Sequence, residues 1–192
     1  MRLNHSPTLS YRNVFPLRTA EWTDIRIAVN SVKLPAAQAP AWTPYKGSYI
    51  LAFSDQAVEA NEERVFFSVQ LPHSYKEGTE IEPHVHWIGE DSAAGDVVWK
   101  FSYTWAPIGV AFPGETSIVV ADANSSTTDF HNVAEFPNIA GTGKLISSML
   151  LCSLRRNSNN VLDTYSSKDA YLIEFDIHFK MNTLGSQQEH SK

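Results

Sequence analysis

Apolar and polar residues alternate along several stretches of this chain. In residues 65–71, Val65, Phe67, Val69 and Leu71 share one parity, and Phe66, Ser68 and Gln70 take the other. Successive side chains of a strand point to opposite faces, so this spacing predicts a half-buried strand. Pro72 lacks the N–H that a ladder needs and ends it. After a polar link with Gly78, a second strand places Ile81, Val85 and Trp87 on one face and Glu82, His84 and His86 on the other. The clearest run follows. Val97, Trp99, Phe101, Tyr103 and Trp105 alternate strictly with Val98, Lys100, Ser102 and Thr104, and that face is expected in the core. The last run puts Tyr171, Ile173, Phe175, Ile177 and Phe179 inward, with Glu174, Asp176, His178 and Lys180 outward.

Shorter strands are predicted over residues 24–29, 47–54, 116–120 and 144–154, with an edge strand within 131–139 that Pro137 limits. Residues 35–44, rich in Pro and Ala, read as an extended loop, and residues 55–64 as a polar loop. Arg155 and Arg156 open another polar stretch and are expected at its solvated edge. About eight strands, with no amphipathic helix between them, imply an all-β chain: an antiparallel β-sandwich, as a jelly roll. The organisation expected is an extended N-terminal arm over 1–20, a sandwich domain over 21–184 and a polar tail over 185–192.

Composition narrows the partners. At 192 residues the chain suits one domain, and 43% hydrophobic content is enough for a real core. The formal net charge of −6 and the scatter of basic residues argue against nucleic acid as a partner. No apolar run reaches membrane-spanning length and no apolar leader follows Arg2, so neither a membrane partner nor export is expected. The single cysteine, Cys152, cannot form an intrachain disulfide; in its apolar run it reads as a small buried hydrophobe.

The titratable residues offer one candidate for chemistry. His84 and His86, at i and i+2, share a strand face, a spacing that can hold zinc or iron if a third ligand joins them. Glu82, His178, Asp176 and His73 are the candidates for that third position. The alternative is that these imidazoles line a polar sheet face or a subunit contact. Glu174, Asp176 and His178 make a second polar stripe, which merges with the first if the two strands pair. A structural metal ion is thus the one cofactor left open. No G-x-S-x-G elbow occurs, residues 141–144 fall short of a P-loop, and no catalytic residue is assigned. Trp42 and Tyr45 suit sugar stacking or a subunit interface, where such residues are enriched. Phe15 and Leu17, in the arm, suit a latch onto a neighbouring chain; the alternative for this stretch is a frayed terminus.

Three segments carry a resemblance: LPHSYKEGTEIEPHVHW, VVWKFSYTWAPIG and the terminal YLIEFDIHFKMNTLGS, with Trp22-Thr23-Asp24-Ile25-Arg26 preceding them. Together they resemble a group of small structural proteins of tailed bacteriophages and prophages. The resemblance implies a non-enzymatic jelly roll of the virion, decorating the capsid, collar or head fibre and assembled in the host cytoplasm. It implies self-association, with a homotrimer the first expectation, and docking on capsid, portal, neck or tail proteins. It carries no catalytic residues with it. Two other readings stay open. One is a carbohydrate-binding module of a fibre or baseplate, working through Trp42 and Tyr45. The other is a cupin-like metal-dependent enzyme, working through His84 and His86.

Overall fold

The computed structural model describes residues 21–189, so Phe15 and Leu17 of the expected arm lie outside the described residues. Among the described residues there are ten strands: β1 Glu21–Ala28, β2 Ala41–Tyr45, β3 Ser48–Phe53, β4 Arg64–Gln70, β5 Ile81–Gly89, β6 Asp96–Ala106, β7 Thr116–Ala123, β8 Asn132–Glu135, β9 Met149–Arg156 and β10 Ala170–Met181. Two short 3₁₀ turns, Val29–Ser31 and Glu59–Asn61, are the only helical segments among the described residues. The strands form two antiparallel sheets. One runs β2-β3-β10-β5-β8, with β1 also on β10; the other runs β4-β9-β6-β7. From β4 to β10 the chain repeatedly crosses from one sheet to the other, which makes an antiparallel β-sandwich of jelly-roll type.

The core lies between the sheets and is aromatic. Trp87, Trp99, Phe53, Phe101 and Phe175 are fully buried. Phe175, from the six-stranded sheet, meets Phe101 and Phe67 of the other sheet at ring-centroid distances of 4.9 and 5.0 Å. Each such side chain contributes about 1.5–3 kcal/mol through the area it removes from water. The alternation in β6 does what its spacing requires for Val97, Trp99, Phe101 and Trp105; Tyr103 is half-buried at the sandwich margin.

Several expectations change in three dimensions. Residues 41–45 are an edge strand rather than loop, and Pro44 is tolerated because an edge leaves one side of the ladder unpaired. Residues 144–148 precede β9 instead of belonging to it, with Ser147 at φ +59°. The register of β10 shifts between Leu172 and Glu174. There the same edge of β10 changes partner, from β3 at residues 170–172 to β1 at residues 174–181. The extra residue turns Leu172 into the core in place of Tyr171 and Ile173, which are half-buried. Arg156 is not at a solvated edge at all but is 1% exposed.

Candidate functional site

The pairing of β1, β10, β5 and β8 assembles a polar face on the outside of the six-stranded sheet. Reading across the strands, one row holds Asp24, His178 and Glu82. The next holds Arg26, Asp176, His84 and Glu135, and the third holds Ala28, Glu174, His86 and Val133. Both stripes seen in the sequence thus merge, because β10 lies directly beside β5.

Asp176 is the centre of this face. It is 6% exposed, although it points away from the hydrophobic core. Its Oδ2 lies 3.3 Å from His86 Nε2 and 3.4 Å from His178 Nε2. Its Oδ1 faces His84 Nδ1 at 3.5 Å, and neither of those two atoms has a hydrogen-bond partner. Burial alone would raise the Asp176 carboxyl. The imidazoles of His84, His86 and His178 outweigh it and hold the group well below the usual carboxylate range. His86 is raised, chiefly by its hydrogen bond to Asp176 against the opposing effect of burial. Its Nδ1 lies 2.8 Å from His131 Nε2. His131 is lowered by burial and by the charge of His86. A protonated His86 donating to both Asp176 and a neutral His131 satisfies all of these contacts.

Around this centre lie further charges. Arg26 forks onto Glu174, with Nε and Nη2 donating to Oε1 and Oε2 at 2.5 and 2.6 Å. His178 Nε2 also reaches Asp24 Oδ1 at 3.2 Å. Asp24, Arg26, His86, His131, Ile173, Glu174 and Asp176 line a cleft of about 340 Å³. One row beyond Asp24, on the same side of β1, Trp22 is 44% exposed and carries Lys180 Nζ 4.6 Å above its ring. Glu82, His84 and His178 bring ligand-capable atoms within 4.8 Å of one another; so do Asp24, Asp176 and His178.

The sequence candidates distribute as follows. His84, His86, His178, Glu82 and Asp176 come together on this face. His73 does not join them: its ring nitrogens lie 2.7 and 3.0 Å from the hydroxyls of Ser186 and Ser147. Trp42 and Tyr45 are not one platform. Trp42 is registered opposite Leu51, whose side chain is in the core, and three residues on Tyr45 points to the other face of β2. Tyr45 donates to Asp129 Oδ1 at 2.7 Å and packs near Tyr171. Asp24, Arg26 and His131 were not singled out in advance. The first two stand in the 22–26 segment of the resemblance, with no site role attached, and His131 had no local signal, since the pairing of β8 with β5 brings it beside His86.

Cys152 is buried, and that burial pushes its thiol up, so it stays protonated near neutral pH and is no nucleophile. No helix among the described residues is long and apolar enough to cross a membrane.

No protein-family model matches this chain, and no curated protein matches it. Among solved structures it is similar to the CBM35 from Cellvibrio japonicus Abf62, at 7% identity and a TM-score of 0.45, over 83% of this chain and 99% of that one. It is also similar to the CBM36-1 domain of a multidomain xylanase from the hindgut metagenome of Trinervitermes trinervoides, at 12% identity and a TM-score of 0.40, over 82% and 96%. A carbohydrate-binding module specific for non-crystalline cellulose, CBM28, follows at 9% identity and a TM-score of 0.37, over 80% and 89%. At these identities the likeness is one of fold alone.

Proposed function

We propose that this chain is a non-catalytic binding module that takes a carbohydrate on the outer face of its six-stranded sheet. The cleft bounded by Arg26, His86, His131 and Glu174 carries the proposal. Its lining includes charged and imidazole side chains beside Ile173, and the Arg26–Glu174 fork offers paired donors and acceptors of the kind that adjacent sugar hydroxyls can engage. Trp22, half-exposed on the same face, supplies a surface on which a pyranose ring can stack. A shallow, open site of this kind suits recognition of one face of a chain rather than enclosure of a reacting bond.

A second reading concerns where the module works. Of the segments that resemble phage structural proteins, residues 71–87 form the loop before β5 and most of β5, residues 171–186 most of β10, and residues 22–26 part of β1, all in the sheet that carries this face, while residues 97–109 form most of β6 in the other sheet. That favours a component of a tailed-phage particle whose exposed sheet meets a neighbouring subunit or a glycan.

Glycan-array binding by the whole protein tests the first reading. Binding to a defined glycan class that falls at least about tenfold in both Trp22→Ala and Glu174→Gln supports it. An array without binding sinks it. Co-sedimentation with phage particles in that case leaves the second reading in place.

A further inference from the structure

We propose that Glu82, His84 and His178 bind a first-row divalent transition ion such as zinc, with Asp176 as the carboxylate that orients His84. The site is independent of the sugar reading and lies beside the cleft rather than in it.

The ligand set is the first observation. Glu82 and His84 lie two residues apart on β5 and so on one face, and His178 is the register partner of Glu82 across β10. Regular sheet pairing therefore brings two imidazoles and a carboxylate together, their ligand-capable atoms within 4.8 Å of one another. The rings of His84 and His178 meet edge-on at a centroid distance of 4.2 Å. Two His and one carboxylate is a donor set that suits zinc or iron(II) better than calcium or magnesium, which prefer all-oxygen shells.

The second observation is independent of that spacing. His84 is 7% exposed and Asp176 is 6% exposed, and His84 Nδ1 and Asp176 Oδ1 face one another at 3.5 Å, close enough to interact as charges but without a formed hydrogen bond on either atom. Unpaired buried polar atoms are costly and rare in native proteins. An ion on the far ring nitrogen of His84 accounts for them. It fixes the tautomer, places the proton on Nδ1, and draws that N–H onto Asp176. This is the carboxylate–imidazole–metal relay by which proteins orient a ligating histidine. The local charge agrees, since Asp24, Glu82, Glu135, Glu174 and Asp176 surround the site and Arg26 is already committed to Glu174.

The test is a titration of the full chain, stripped with a chelator and dialysed, with zinc chloride in a calorimeter. Cobalt(II) absorption gives a second readout of the ligand set. The expected result is one ion per chain, lost in His178→Ala and in Glu82→Gln. Asp176→Asn is expected to weaken binding about 10–100-fold. His131→Ala is expected to change it by less than about threefold, because His131 neither ligates here nor touches a ligand: its partner is His86. Glu82 is half-exposed, so Glu82→Gln is expected to fold as the parent does, checked by circular dichroism. Failure of the parent chain to take up zinc overturns the proposal. So does uptake that survives both His178→Ala and Glu82→Gln, or uptake lost in Asp24→Asn but kept in Glu82→Gln. Glycan binding is scored separately and neither rescues nor sinks the metal site.

Discussion

Arg156 and Asp163 form a bidentate ion pair with both side chains 1% exposed. Arg156 Nε and Nη2 donate to the two carboxylate oxygens at 3.0 and 2.7 Å. The remaining N–H groups donate to the carbonyls of Phe53, Tyr165 and Lys168. Asp163 Oδ2 also accepts the backbone N–H of Val98. One guanidinium thus ties the end of β9 to β3 and to the 157–169 loop, and the carboxylate ties that loop to β6.

Removing one partner of this pair strands the other charge. Arg156→Met is expected to cost about 3–5 kcal/mol, since Asp163 would stay buried without its counter-charge. Urea denaturation measures it. The double variant Arg156→Met/Asp163→Leu is expected to be more stable than Arg156→Met alone. A loss below about 1 kcal/mol in the single variant would mean that solvent reaches Asp163 easily.

Asp122 links the two sheets differently. Trp87 Nε1, from the six-stranded sheet, donates to its Oδ2 at 2.7 Å. Burial raises the Asp122 carboxyl, and the Trp87 hydrogen bond only partly opposes this. The folded state therefore holds the proton more tightly than the unfolded chain does. The group's contribution is best at low pH, falls as pH rises from its unfolded value through its folded value, and stays unfavourable above. Asp122→Asn keeps an acceptor for Trp87 and removes the charge. Its Tm is expected about 1–3 °C above the parent at pH 7, a modest shift for a carboxyl that is partly solvent-screened. The gap should close below about pH 4. An unchanged gap across that range would count against the charge as its cause.

Gly141 sits where no side chain fits. A Cβ there would lie 1.8 Å from the Thr79 carbonyl oxygen and 2.3 Å from the Tyr75 hydroxyl, itself bonded to that carbonyl. Gly141→Ala is expected to destabilise by about 1–3 kcal/mol in a denaturant titration. Adding Tyr75→Phe should not restore stability, because the backbone oxygen is the nearer obstacle.

Tyr45 has its phenol pushed up to about 12, first by burial and then by its hydrogen bond to Asp129 and that carboxylate's charge. Asp129→Ala removes the last two causes and leaves the first. Phenolate absorbance, with Tyr45→Phe subtracted, should show the group titrating lower than in the parent but still above an ordinary tyrosine. A value unmoved by Asp129→Ala would leave burial as the whole cause.

The strand alternation is a local property, and so the sequence by itself determined most of the sandwich. It was enough to place Val97, Trp99, Phe101 and Trp105 in the core, and to put Glu82, His84 and His86 on one face and Glu174, Asp176 and His178 on another. It could not tell that β10 lies between β1 and β5, or that Asp176 stands opposite His84. Register follows from which distant strands cover each other, and no neighbouring residue encodes that. The shift at Ile173 arises because β10 changes partner there, and it reverses the expected facing of Tyr171. Arg156 looked solvent-bound because a charge is expensive to bury; only the fold brings Asp163 and the carbonyls of Phe53, Tyr165 and Lys168 around it. His131 joined His86 because it stands just before β8, whose Val133 is registered opposite His86. Periodicity decided the faces, and long-range pairing decided which charges share one.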